Sequence, residues 1–278
     1  MTLFHSILLG IIQGLTEFIP VSSTAHLLIG QTLLGLQTDD RVFSFQVIIQ
    51  MGTVFALIMF FWQDYWHIVK SFALGIWHGK PFETHDTQLG WLVIVATIPA
   101  LIAGFLLKDV VENLFKDPPL QASIRLFMSA LLLTSVEYFG RRERNLESAT
   151  WLDALTVGLF QILALFPGAS RSGSTIAGGM IRGLDRASAA RFAFLMSAPI
   201  LLAAVTYELF KVIEMPGTHA FLPYLVIGFL SAAIVGWLSL KWLIGFLNRH
   251  SLYAFAAYCA VVGVIVLIFS QIKLITVY

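Results

Sequence analysis

Cysteine is nearly absent from this 278-residue chain: Cys259 stands alone. That excludes an intramolecular disulfide and leaves the redox compartment undetermined. Charge is scarce too, at 12% of residues, about half the share usual in a soluble domain. What charge there is nearly cancels, to a formal net of +1, so the basic footprint of a nucleic-acid binder is missing. A basic leader is missing as well. The amino terminus is apolar, and Gln13 and Glu17 interrupt it, so no cleaved signal peptide is expected.

Apolar sequence fills the space that charge vacates: 58% of residues are hydrophobic, and mean hydropathy is +0.84. Runs at 92–107, 221–240 and 253–272 are apolar over about the 17–25 residues a spanning helix needs. Residues 43–62, 125–138 and 189–209, the last with Pro199 inside, read as further helices. The chain is expected to be an all-α polytopic membrane protein, one integral domain over residues 1–278. Trp62, Trp66, Trp77 and Trp91 sit near predicted boundaries and read as an interface belt. His67, His78 and His85 lack compact ligand spacing and read as solvated loop residues, and Glu137 beside the Arg141 cluster reads as interfacial.

A polar, turn-rich segment occurs twice within this apolar sequence. At an offset of 148 residues, Gly10, Gln13, Leu15, Phe18, Ser22 and Gly30 meet Gly158, Gln161, Leu163, Phe166, Ser170 and Gly178. Such self-similarity marks an internal repeat, with one copy in about 1–140 and the other in about 150–278. Where the copies differ, Glu17 faces Leu165, Ser23 faces Arg171 and His26 faces Ser174. Charged and polar groups at membrane depth are expensive, so these positions are candidates for function.

Segments 24–34, 151–166 and 172–182 fall short of the roughly 20 residues needed to cross. Each repeat is therefore expected to open with a re-entrant helical hairpin, followed by three spans. Three spans invert the second copy relative to the first. Ten Lys/Arg then fall on one side, including Arg141, Arg142, Arg144, Arg182 and Arg186. Six fall on the other: Arg41, Lys108, Lys116, Arg125, Lys211 and Lys273. The denser side is expected to be cytoplasmic, with both termini outside.

Ser22-Ser23-Thr24 and Ser170-Arg171-Ser172 precede the second helix of each hairpin, where hydroxyls cap helix starts. Two helix starts facing one cavity, with Arg171 between them, suit a phosphate or pyrophosphate. Structural readings stand beside this one. The serines and Thr24 could be caps alone, Gln13 a hairpin brace, His26 a satisfied buried histidine, and Glu17–Arg171 an ion pair.

The motifs carry a resemblance. Gln13-Gly-Leu-Thr-Glu17-Phe-Ile-Pro-Val-Ser-Ser-Thr-Ala-His26 and Pro167-Gly-Ala-Ser-Arg-Ser-Gly-Ser-Thr175 resemble the paired motifs of the undecaprenyl pyrophosphate phosphatases of the bacitracin-resistance type. The resemblance covers essentially the whole chain. It implies an inner-membrane enzyme that removes the terminal phosphate of undecaprenyl pyrophosphate and recycles the lipid carrier of cell-wall synthesis. It also implies a divalent cation, Mg²⁺ or Ca²⁺. Many members carry Glu at position 13, so Gln13 leaves Glu17 as the one carboxylate of this motif.

On this reading Ser23 is the first choice of nucleophile, with His26 as its base or as the nucleophile itself. Glu17 would hold the cation or orient His26. Arg171 would bind phosphate, with Ser22, Thr24, Ser170, Ser172, Thr175 and Gln13 as donors or caps. The partners are the polyprenyl pyrophosphate and membrane lipids, not nucleic acid, and a homodimer is left open. The alternative is a transporter or flippase for an anionic lipid, since broken helices facing the midplane are also a transporter plan. Arg171→Ala is expected to abolish turnover, and Arg171→Lys to restore little, because a point charge cannot reproduce a bidentate fork. Near-normal rates in a folded Lys variant would remove Arg171 from the reaction.

Overall fold

Both hairpins start at a threonine. Thr2 caps α1 (Leu3–Thr16), its hydroxyl accepting from the His5 N–H at 3.2 Å. Thr150 caps α7 (Trp151–Leu163), its own N–H donating to Asp153 at 2.8 Å. The returning helices are α2 (Ser23–Leu33) and α8 (Arg171–Ile181). All four helix starts obey the 148-residue offset read from the sequence.

Between and after the hairpins run α3 (Asp40–Phe60), α4 (Trp62–Trp77), α5 (His85–Leu106) and α6 (Pro118–Phe139), then α9 (Arg186–Glu214), α10 (Thr218–Leu247) and α11 (Tyr253–Gln271). The computed structural model describes residues 1–36, 40–107, 118–166, 170–214 and 218–271. The regular structure in them is helical, with one isolated bridge between Arg144 and Leu184. Lys108, Lys116, Lys273 and Pro167 lie outside the described residues.

Among the described residues, five helices (α5, α6, α9, α10 and α11) are long and apolar enough to cross a membrane. The α3–α4 pair, bent by 73° at Phe61, counts as a sixth if taken as one span. Residues 62–77 thus form a helix where the sequence reading placed a loop holding His67. The reason is amphipathic: Ile68 is buried, and Phe72 packs edge-on to Trp91 of α5 at 5.0 Å. Trp62, Trp66 and Trp77 remain exposed, as suits side chains that favour a membrane–water boundary.

Packing between the halves is reciprocal. Helix α1 lies on α10, and α7 lies on α5; α3 meets α10 while α9 meets α5. The repeat-equivalent glycines set the first two contacts. A Cβ on Gly10 would stand 2.6 Å from the Gly228 carbonyl oxygen, and one on Gly158 would stand 2.5 Å from that of Ala96. Backbone cannot retreat as a side chain can, so only glycine allows either approach. In α9, Pro199 removes the N–H that would reach the Leu195 carbonyl. Tyr65 answers from α4, its hydroxyl reaching the Phe194 and Leu195 oxygens at 3.2 and 3.4 Å.

Two buried carboxylates tie one end of the bundle together. Glu137, read from sequence as interfacial, is 2% exposed. It binds both Arg142 and Arg186 and accepts from the Leu252 N–H at 3.0 Å. Arg142 and Arg186 therefore share one end of the molecule. Asp153, fully buried, accepts from Arg144 at 2.7 Å and Arg182 at 2.9 Å. Burial works against its charge, but hydrogen bonds from Arg144, Thr150 and Arg182 outweigh that and hold its carboxyl at about 2, against an ordinary 3.8.

Because the folded value lies below the unfolded one, this contribution is complete above pH 3.8 and is lost as pH falls through about 2. Asp153→Asn should lower the melting temperature in detergent at neutral pH, and the gap to wild type should close as pH approaches 2. A gap that stays constant across that window would show that the carboxylate's charge is not what stabilises this end.

Candidate active site

The first hairpin turns over Phe18-Ile-Pro-Val21, which brings the end of α1 beside the start of α2. Ser22 caps α2 with φ at 69°. A non-glycine residue in that left-handed region holds backbone strain of the kind that collects at functional sites. Its hydroxyl accepts from the Ala25 N–H at 3.4 Å, and the next side chain, Ser23, turns toward α1. There its Oγ donates to Glu17 Oε2 at 2.8 Å.

Glu17 is 5% exposed and collects donors from both hairpins. Gln13 Nε2 donates to Oε2 at 2.9 Å, and Arg171 Nη2 donates to Oε1 at 2.6 Å from the first residue of α8. Ser170 caps α8 by accepting from the Gly173 N–H at 3.3 Å. Its neighbour Ser172 reaches across to the Ile19 carbonyl at 3.4 Å. Two helix starts thus face each other with their free N–H groups and positive dipole ends, an anion-binding arrangement. The other terminal nitrogen of Arg171, Nη1, is buried without a hydrogen-bond partner.

These groups line a cavity of about 240 Å³. Of the sequence-predicted residues, Glu17, Ser22, Ser23, Thr24, Ser170 and Arg171 line it. Gln13, Ser172 and Thr175 stand behind this lining. Gln13 braces Glu17 and approaches Thr53 at 3.4 Å, and Thr175 bonds back to the Arg171 carbonyl at 2.8 Å. His26 is not among the lining residues. Helical spacing placed it within reach of Ser23, yet its Nδ1 meets the Ser22 carbonyl oxygen at 2.9 Å and its Nε2 meets the Tyr258 hydroxyl at 2.8 Å. Its ring also stacks on Tyr258, at 5.6 Å between centroids. The hydroxyl of Ser23 has Glu17, not His26, as its partner.

Three polar lining residues were not in the predicted site: Gln50, Arg125 and Gln161. Arg125 was counted among outer-side charges, but it is 5% exposed inside α6. A lone basic residue in an apolar helix was the signal that could have found it. Glu17 is the one acidic side chain in the described lining, and no group of three His, Cys, Asp or Glu is placed to hold a metal among the described residues. The described lining thus offers a cation one carboxylate, whose oxygens already accept from Arg171, Gln13 and Ser23.

Fold and site together define a helical protein of the multi-pass membrane class with a polar cavity where two helix starts meet. The chain belongs to the family described as bacitracin resistance protein BacA, which matches residues 6–265. It is 40% identical over 279 residues to the undecaprenyl-diphosphatase of Chlorobium phaeovibrioides, covering 96% of this chain and 97% of that one. It is 42% identical over 257 residues to the undecaprenyl-diphosphatase of Rubrobacter xylanophilus, covering 92% and 94%.

The Glu17–Arg171 pair gives a stability prediction. Removing one member leaves a buried charge uncompensated, at a cost of about 3–5 kcal/mol. Glu17→Ala and Arg171→Ala should each lower the unfolding free energy by about that amount, and the double variant by clearly less than their sum. Additive losses would mean that the two charges do not interact in the folded protein.

Proposed function

We propose that this chain is an undecaprenyl-diphosphatase, cleaving the terminal phosphate from the polyprenyl diphosphate and so recycling the lipid carrier of cell-wall synthesis. One observation carries the reading. Glu17 touches both the Ser23 hydroxyl and the Arg171 guanidinium, so nucleophile, proton acceptor and phosphate-binding cation meet at two facing helix starts. The second repeat has Leu165 where the first has Glu17 and Arg171 where it has Ser23. Transport alone needs no such division, whereas phosphoryl transfer does.

The terminal phosphate would accept from the unpartnered Nη1 of Arg171 and from the N–H groups at the starts of α2 and α8. These donors stay in place as charge builds on the transferring group, which is how a preorganised site stabilises a transition state. Ser23 Oγ attacks phosphorus while its proton passes to Glu17 Oε2. The bond from phosphorus to the bridging oxygen breaks, and the polyprenyl monophosphate leaves with that electron pair. Glu17 passes the serine proton to the departing monophosphate; water then attacks the phosphoserine, giving a proton to the again ionised Glu17, which returns it to Ser23 Oγ as inorganic phosphate leaves. His26 positions the start of α2 through Ser22 and Tyr258 in this scheme. A divalent cation, Mg²⁺ or Ca²⁺, would be held by Glu17 and would supply neutralisation of phosphate charge.

The same reading sets the protein in the bacterial inner membrane. The arginine-rich end carrying Glu137 and Asp153 would face the cytoplasm, the termini would lie outside, and the two repeats would be inverted. Reciprocal packing of α1 on α10 and α7 on α5 supports the inversion.

Purified protein in detergent should release phosphate from a polyprenyl diphosphate, and chelation should slow it. Ser23→Ala should lose about 10³-fold or more in rate. A phosphoenzyme trapped during turnover should be acid-stable phosphoserine. Acid-labile phosphohistidine at His26 would overturn the Ser23 assignment, and no phosphoenzyme at all would indicate direct attack by water.

A further inference from the structure

Away from the active-site cavity, the last turns of α10 and the residues just after them line an open groove of about 720 Å³. It shares no lining residue with that cavity. It lies at the arginine-rich end, since Leu252, just past α10, donates its N–H to Glu137. Leu238, Lys241 and Gly245 recur at three- and four-residue spacing and so share one helix face, and Arg249 closes the same groove beyond the helix end.

Gly245 is the unusual member. Glycine inside a helix weakens it relative to alanine, and elsewhere in this bundle close packing explains the residue. A Cβ on Gly10 or Gly228 would stand 2.6 Å from other protein atoms. At Gly245 the protein places nothing within 4 Å of that position, and the backbone there is ordinary helix. Neither packing nor conformation asks for glycine, so the notch is open to something outside the chain.

The groove also carries charge of one sign. Lys241 and Arg249 line it, and no Asp or Glu does. Arg142, Arg144, Arg182 and Arg186, at the same end, are each held by Glu137 or Asp153. Lys241 and Arg249 have no such carboxylate among the described residues. One wall is a ladder of rings: Trp242 stacks on Phe246 at 5.0 Å, and Phe246 on His250 at 4.5 Å. Trp242 and Leu238 are more than half exposed on a helix apolar enough to cross a membrane.

We propose that this groove binds one anionic phospholipid of the surrounding bilayer. Its phosphate sits over the Gly245 notch between Lys241 and Arg249, and its chains run along Leu238 and Trp242. Basic pockets beside membrane helices suit such heads. A zwitterionic lipid brings an ammonium group for which the lining has no carboxylate. A second copy of this chain, docked by a two-fold contact, would set the same two cations against each other.

The test takes delipidated full-length protein in detergent, titrates it with phosphatidylglycerol or phosphatidylcholine, and counts bound lipids by native mass spectrometry. One phosphatidylglycerol should bind about tenfold or more tightly than phosphatidylcholine. Each cation contributes about fivefold near an anionic head, so Lys241→Gln with Arg249→Gln should weaken phosphatidylglycerol about 25-fold. The charge-keeping pair Lys241→Arg with Arg249→Lys should retain it. Gly245→Leu should abolish the preference by filling the notch, while its melting temperature without lipid stays at or above that of wild type. That variant adds atoms only to open space, so it decides the matter if the double Gln variant does not fold. Equal binding of the two lipids by wild type would overturn the site, as would phosphatidylglycerol binding that survives Gly245→Leu. A dimer that dissociates in Gly245→Leu with lipid counts unchanged would give the groove to a second copy instead.

Discussion

A charge can sit at the centre of this protein only because an opposite charge sits beside it. Glu17 and Arg171 come from different halves of the chain, and each would be prohibitively costly to bury alone. The broken helices impose the same demand on the backbone. Between α1 and α2 the chain leaves helical geometry, so its buried N–H and carbonyl groups need protein or water as partners. Bringing the two hairpin turns together satisfies both demands. The ends of α1, α2 and α8 are thereby fixed to within hydrogen-bond distance of one carboxylate.

Around that centre the remaining packing holds the hairpins at a set depth. At one end Glu137 and Asp153 draw in four arginines from the loops and helix ends around them. In the middle, Tyr65 supplies the donor that Pro199 withdraws from α9, beside Ile200 and Leu201 of the cavity wall. Sites held on rigid helices by such supporting contacts keep their geometry better than sites on free loops. Ser22 can therefore be kept in a strained conformation.

The helical class and both hairpins were legible in the sequence. A hydroxyl-rich break in an apolar run can be read locally, and the 148-residue offset supplied a second copy for comparison. Residue types and helix starts also put Glu17, Ser23 and Arg171 in view. What could not be read was direction and depth. His26 and Ser23 share a stretch of α2, yet Tyr258, far away in sequence, holds the imidazole elsewhere. Arg125 and Glu137 lie near the ends of an apolar segment, where a charge usually escapes to water, and tertiary packing buries them instead. Helix α4 was missed because its aspartate, histidine and lysine resemble a loop, while its apolar face becomes evident only against α5.

Gly10 and Gly158 separate what the two copies must share from what they may vary. Each is a notch into which the backbone of a spanning helix fits, and each stands about one turn before a glutamine and two turns before the position held by Glu17 or Leu165. The notch sets the distance between hairpin and scaffold; the residues after it set the chemistry. The turns can therefore carry different residues, a carboxylate in one copy and a guanidinium in the other, with docking unchanged as long as both notches survive. For protein engineering the same division makes the turn of either half a replaceable cassette, bounded on one side by a single hydrogen atom that cannot become a methyl group.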